Sequence, residues 1–188
     1  MKNIFVYTGK GAYQARDIEA FLAVFDYDYE RICEHDFAEL GQNDLLIVPG
    51  GAIKEYEEVF GAHASEINEF ITDGGTYIGI CAGVSALSAT GLIPKVNHAK
   101  GFAELSVTDS RGDRFDVLAE NPPELPEIDN AQTLLSDKDR KPVALGFTKG
   151  QGTILLLAVH TEGSVYYNKH PKEFSGAKFL QKLISSEE

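Results

Sequence analysis

Cysteine is scarce in this sequence: two among 188 residues, Cys33 and Cys81. That count excludes a disulfide framework, and no cysteine pair has metal-binding spacing. Long hydrophobic runs are also missing. The opening MKNIFVYTGKG is too short an apolar stretch for a signal peptide, and no run is long enough to span a bilayer. Basic residues are in the minority, 17 Lys and Arg against 29 Asp and Glu, giving a formal net charge of −12. Phosphate repels such a surface, which disfavours nucleic acid and anionic membranes as partners. There is no internal repeat and no low-complexity tail. The expectation is a reducing, cytoplasmic setting and a small-molecule substrate, with no cofactor and no metal.

What is present reads as one soluble domain over residues 1–188. Apolar content is 43% and charged content 24%, ordinary for a globular chain long enough to bury a core. Asn3 to Tyr7 predicts a short buried strand ended by Thr8-Gly9-Lys10-Gly11. Ile18, Phe21, Leu22 and Phe25 then recur at helical spacing. Tyr29 to Glu34 predicts a second strand, and Leu45 to Val48 a third, stopped by Pro49-Gly50-Gly51. Ile67, Phe70 and Ile71 share a helix face that stops at Gly74-Gly75. Thr76 to Ile80 is again a strand, and Ala82 to Ala89 a helix. This alternation predicts a mainly parallel sheet with helices on both faces. Residues 95–151 differ: Ala103 to Thr108 and Asp113 to Leu118 predict antiparallel strands in a β-rich insertion or flap. Pro142 to Thr148 and Thr153 to Val159 flank Lys149-Gly150-Gln151-Gly152 as a hairpin. Pro171 to Ser185 predicts a closing helix that starts at His170-Pro171.

Cys81 stands where a strand gives way to a helix, in TYIGICAGVSALSAT. At the carboxyl end of a strand in an α/β sheet, ligands tend to bind. Gly79, Ala82 and Gly83 add little bulk, so a sharp turn is possible and a substrate can approach. This is the layout of a nucleophile elbow. The N–H groups and positive dipole end of the following helix favour thiolate over thiol, and the Ala82 amide is placed to hold an oxyanion. The competing reading is a small buried hydrophobe, and for Cys33, in ERICEH, that reading prevails. A nucleophile needs a base. His160 ends an apolar strand in VHTEG, and Glu162 follows two residues later, on the same side of an extended chain. The carboxylate can then hold one ring nitrogen while the other faces a thiol. A strand ending in Val48-Pro49-Gly50-Gly51 can turn a backbone N–H into the cleft, and Gly51 is the candidate second oxyanion donor. His35, His63 and His98 read as surface or loop residues. Glu55 and Tyr56 read as bordering the cleft.

The order VYTGKGA, LLIVPGGA, EFITDGGTYIGICAGVSAL and GQGTILLLAVHTEGS resembles the class I glutamine amidotransferase-like superfamily. More narrowly, it resembles the N-terminal domain of fungal-type biotin–protein ligases and its free-standing bacterial relatives. The resemblance implies a flavodoxin-like three-layer sandwich and a Cys–His–Glu triad. It carries the nucleophile to Cys81, the base to His160, its partner to Glu162, and the oxyanion hole to Gly51 and Ala82. Gly50 and Gly83 are expected to face the substrate. The implied activity is a cysteine-dependent amidohydrolase or amidotransferase acting on a small carboxamide. The alternative on the same fold is a non-catalytic ligand-binding or thiol-sensing module. One departure stands out: glutaminase domains usually follow the cysteine with a Leu-Gly-His-Gln type sequence, and here Ala82-Gly83-Val84-Ser85 follows. A second branch, the intracellular-protease and deglycase-like proteins, brings an acidic side chain from an early helix to the cysteine. Asp17 and Glu19 are the residues that would serve there, although the HTE motif suits the first branch better.

Overall fold

The computed structural model describes residues 3–164 and 167–186. Its elements follow in chain order: β1 (Ile4–Tyr7), α1 (Ala15–Val24), β2 (Glu30–Ile32), a 3-10 segment (Glu34–Glu39), β3 (Leu45–Val48), α2 (Ile53–Ala62) and α3 (Ala64–Thr72). Next come β4 (Thr76–Ile80), α4 (Ala82–Ala89), β5 (Phe102–Asp109), β6 (Arg114–Glu120) and β7 (Gln132–Ser136). The chain continues through β8 (Pro142–Lys149) and β9 (Gly152–Leu157) to α5 (Ser175–Ser186).

Among the described residues, all nine strands form one sheet, in the order β2-β1-β3-β4-β9-β8-β7-β5-β6. From β2 to β9 the pairing is parallel. From β9 outward through β8, β7, β5 and β6 it is antiparallel. The expected α/β architecture, with a parallel core and helices on both faces, is the one observed. The β-rich segment, however, is no detached flap. Its strands continue the main sheet, because β8 turns back onto β9 through Gly150 (φ +61°) and β7 pairs on β8's far edge.

The central parallel strands β1, β3, β4 and β9 are apolar on both faces because both are covered, whereas β2 at the sheet edge exposes Glu30 and Arg31. Ile4, Val6, Leu45, Ile47, Ile78, Ile80, Leu155 and Leu157 meet α1 and α5 in one core. Their alternates Tyr7, Leu46, Val48, Tyr77, Ile154 and Leu156 meet α2, α3 and α4 in the other. Each such fully buried aliphatic or aromatic side chain contributes roughly 1.5–3 kcal/mol, and that burial fixes the register of the strands whose ends carry the site. The expected helix start at His170-Pro171 is displaced: those residues form a turn closed by the Glu173 and Phe174 amides on the His170 carbonyl, and the helix begins at Ser175.

Candidate active site

The carboxyl ends of β1, β3, β4 and β9 lie side by side, and each delivers one piece of the site. Cys81 follows β4 directly, as the N-cap of α4, with φ 52° and ψ −112°. A non-glycine residue held there stores strain of about 1–3 kcal/mol. Three contacts hold it. The Cys81 amide donates to the Leu157 carbonyl at 2.8 Å. The buried Tyr77 hydroxyl donates to the Gly83 carbonyl at 2.7 Å. Gly83 presses α4 onto β3, where a Cβ would stand 2.3 Å from the Val48 carbonyl oxygen. Gly83, expected to face the substrate, is a close-approach residue and is not among the described walls of the cavity below.

The Pro49-Gly50-Gly51 turn after β3 is clamped from two sides. Buried Tyr56 donates its hydroxyl to the Pro49 carbonyl at 3.1 Å. The Gln14 amide donates to the Gly50 carbonyl at 3.1 Å, and the Ala52 amide to the Gly11 carbonyl at 2.9 Å. A Cβ on Gly51 would fall 2.0 Å from the Gly11 oxygen; one on Gly50 would fall 1.8 Å from Gln14 Oε1 and 2.7 Å from His160 Cε1. Gly50 thus makes room for the imidazole and does not line the cavity. Tyr56 supports the turn from within the core rather than bordering the cleft.

His160 leaves β9 and is pinned from the antiparallel half. Its amide donates to the Leu118 carbonyl at 2.7 Å, and the Leu118 amide returns a bond to the His160 carbonyl at 3.1 Å. The imidazole Nδ1 meets Glu162 Oε1 at 2.8 Å, and both side chains are closed to solvent. Gly163, at φ +89°, turns the chain away where a Cβ would strike the Lys169 carbonyl. Burial alone would lower the His160 pKa. The Glu162 charge, together with the neighbouring Cys81 and the Glu162 hydrogen bond, outweighs burial and raises it well above 6.5. Among the described residues, His160 Nε2 has no hydrogen-bond partner. Cys81 is near enough to act on the imidazole, yet Sγ directs its hydrogen bond to the Glu120 carbonyl at 3.4 Å.

Cys81, Gly51 and Ala82 open onto one cavity of about 270 Å³. Its other walls are Tyr13, Gln14, Ile53, His98, Glu120 and Asn121. His160 and Glu162 lie behind this wall. His98, expected as a surface or loop residue, is held between Ser85 Oγ and the Asn121 carbonyl, both at 2.7 Å. Gln14 Nε2 donates to Glu120 Oε2 at 3.2 Å across the cleft. None of these wall residues carries a motif; chain segments far apart in sequence bring them together. Asp17 and Glu19 are not among the cavity walls, and Glu19 pairs with Arg31.

A sequence model of the family described as "Biotin-protein ligase, N terminal" matches residues 2–116. The chain belongs to that family. The matched stretch includes Gly51, Cys81 and Ala82 and stops short of Glu120, His160 and Glu162. An uncharacterized protein of Chlamydia muridarum is 34% identical over 95 residues, 44% of this chain and 36% of its own length. Phosphoribosylformylglycinamidine synthase subunit PurQ of Salinibacter ruber is 33% identical over 90 residues, 42% of this chain and 37% of its own length. The match therefore spans little more than a third of those two relatives.

Solved structures agree on the fold. PurLQS from Thermotoga maritima aligns over 100% of both chains with a TM-score of 0.70 and 15% identity. A GMP synthase subunit from Thermoplasma acidophilum matches over 99% of this chain and 98% of its own, with a TM-score of 0.67 and 19% identity. A glutamine amidotransferase covers 85% of this chain and 90% of its own at a TM-score of 0.66 and 17% identity. At such identities these similarities show the fold, which is that of class I glutamine amidotransferase-like proteins. No helix among the described residues is long and apolar enough to cross a membrane.

Proposed function

We propose that this protein is a cysteine amidohydrolase whose nucleophile, base and orienting acid are Cys81, His160 and Glu162. The observation that carries the reading is the strained Cys81 at the tip of β4 beside an imidazole with one nitrogen fixed and the other unpartnered. An elbow conformation of this kind costs folding energy and is kept where it aims a reacting atom. An orphaned ring nitrogen buried beside a thiol has a ready use in carrying that thiol's proton.

The chemistry follows from these positions. A small carboxamide enters the cavity with its carbonyl carbon at Sγ. The thiol proton passes to His160 Nε2, and Sγ bonds to the carbon. The developing oxyanion lies between the Gly51 and Ala82 amides, each donor contributing about 3 kcal/mol. His160 returns the proton to the departing nitrogen, the C–N bond breaks, and ammonia leaves a thioester. Water, deprotonated by the same ring, attacks the thioester and restores the thiol. Glu162 holds the ring orientation and stabilises the imidazolium throughout. The two unpaired cysteines suit a reducing, cytoplasmic setting. The ammonia goes to solvent or to an acceptor protein, such as a synthase bound to this chain.

The test is turnover of a panel of small carboxamides by the wild type and by Cys81→Ala. Turnover that disappears in a folded Cys81→Ala protein supports the assignment; unchanged turnover overturns it. The opening of Cys81 onto the cavity also fits a second reading, a thiol-sensing module on the same fold. That reading expects oxidant-dependent modification of Cys81 with no turnover of any amide.

A further inference from the structure

The cavity in front of Cys81 carries one formal carboxylate, Glu120, and no lysine or arginine among its described walls. Glu120 stands at the end of β6, and its backbone carbonyl already touches Sγ. Its side-chain Oε2 accepts from the neutral amide of Gln14 at 3.2 Å. That bond fixes the carboxylate in position and leaves its charge uncompensated. Lys10 and Lys169 pair with other carboxylates, Glu58 and Glu104. Tyr13 and Ile53 add an apolar rim. A half-buried carboxylate beside a reactive centre selects charge strongly, because the low-dielectric wall screens it less than water would.

We propose that Glu120 is a specificity-determining residue and that the substrate is a small amide bearing a cationic amino group a few bonds from its carbonyl. The proposal rests on the reading of Cys81 as an amide-cleaving nucleophile. The ammonium docks on Glu120, which places the carboxamide at Sγ and the carbonyl oxygen toward the Gly51 and Ala82 amides. An amide with an anionic carboxylate at the same distance is repelled by Glu120, and the described wall holds no lysine or arginine to receive it. The departure from the Leu-Gly-His-Gln pattern after the cysteine accords with a substrate other than glutamine, whose own carboxylate would need such a receiver.

Two experiments on the full chain separate this proposal from the hydrolytic reading. The first compares kcat/KM for β-alaninamide, butyramide and succinamate, which keep similar length and differ in charge. The expected order is cation, then neutral, then anion, with about tenfold or more between the first two. Glu120→Gln is expected to erase most of that gap. Equal rates for the three amides, or a gap unchanged in Glu120→Gln, overturns the proposal while leaving the hydrolase reading intact. The second experiment needs no turnover. Aminoethyl and sulfonatoethyl methanethiosulfonates are reacted with the protein, and labelling of Cys81 and Cys33 is read separately by peptide mass. The cation-to-anion rate ratio is expected to be about tenfold higher at Cys81 than at Cys33, and to shrink in 0.5 M salt (roughly a 4 Å screening length) and in Glu120→Gln. Glu120→Gln changes the net charge by one unit only, so a large loss of preference belongs to this site rather than to the overall field. Equal ratios at the two cysteines overturn the proposal. A preference at Cys81 with no amide turned over upholds the charge selection and removes the hydrolase.

Discussion

His160 and Glu162 share one side of an extended segment, and their ring nitrogen and carboxylate oxygen meet at 2.8 Å in a region closed to solvent. A buried pair of this kind ties protonation to folding. The folded-state pKa of His160 is raised, so the pair's stabilisation is complete below about 6.5, the reference value of free histidine. It is lost as pH rises through the folded-state value. In Glu162→Gln the raising charge is gone, and burial then favours the neutral ring. The stability difference between wild type and Glu162→Gln is therefore expected to be largest near pH 6 and to narrow toward pH 9. Denaturant titrations across that range test it; a difference that widens with pH would contradict the assignment. In amide turnover, Glu162→Gln is expected to lose on the order of 10²–10⁴ in kcat.

Cys81 can be separated into its thiol and its backbone. Cys81→Ala removes the sulfur and keeps a Cβ at φ 52°. Cys81→Gly removes both. Neither is expected to turn over substrate, but Cys81→Gly is expected to be the more stable of the two by about 1 kcal/mol, since glycine relieves the strain. Thermal melting of the two variants measures the difference directly.

Gly50→Ala puts a methyl group 2.7 Å from His160 Cε1 and closer still to Gln14 Oε1. Relief comes from moving the imidazole or the glutamine side chain. The expected result is a stability loss of about 1–3 kcal/mol and a fall in kcat larger than any change in KM. Steady-state kinetics beside a melting curve distinguish the two effects.

Tyr56→Phe deletes the hydroxyl that donates to the Pro49 carbonyl in a fully buried setting. Losing that bond is expected to cost about 1–3 kcal/mol. Because the bond clamps the turn carrying Gly51, the variant is also expected to lose kcat with the thiol's alkylation rate little changed. A variant that lost alkylation and kcat in parallel would point to collapse of the elbow instead.

The central parallel strands were legible because they are apolar on both faces. Leu45 to Val48 and Thr76 to Ile80 could be bounded to the residue. Helix α2 was missed, although Tyr56, Val59 and Phe60 form its buried face. Its glutamates dilute the apolar signal, and the preceding Pro-Gly-Gly reads as the start of a loop. Strand β7 was missed for a related reason: among Gln132–Ser136 only Leu135 is fully buried. That β5 to β8 extend the main sheet depends on non-local pairing, which local patterning does not encode. At the site, Cys81, His160 and Glu162 were named from short motifs. Gln14, His98 and Glu120 were not, because each gains its place only when three distant segments meet over one cavity.

The paired main-chain bonds between Leu118 and His160 have a mechanical consequence. They fasten the imidazole's own backbone to β6, the outermost strand on the antiparallel side of the sheet. The same strand ends at Glu120, which reaches the sulfur. A displacement of β6 by a fraction of an ångström would therefore retune the separation of proton donor and acceptor without touching either side chain.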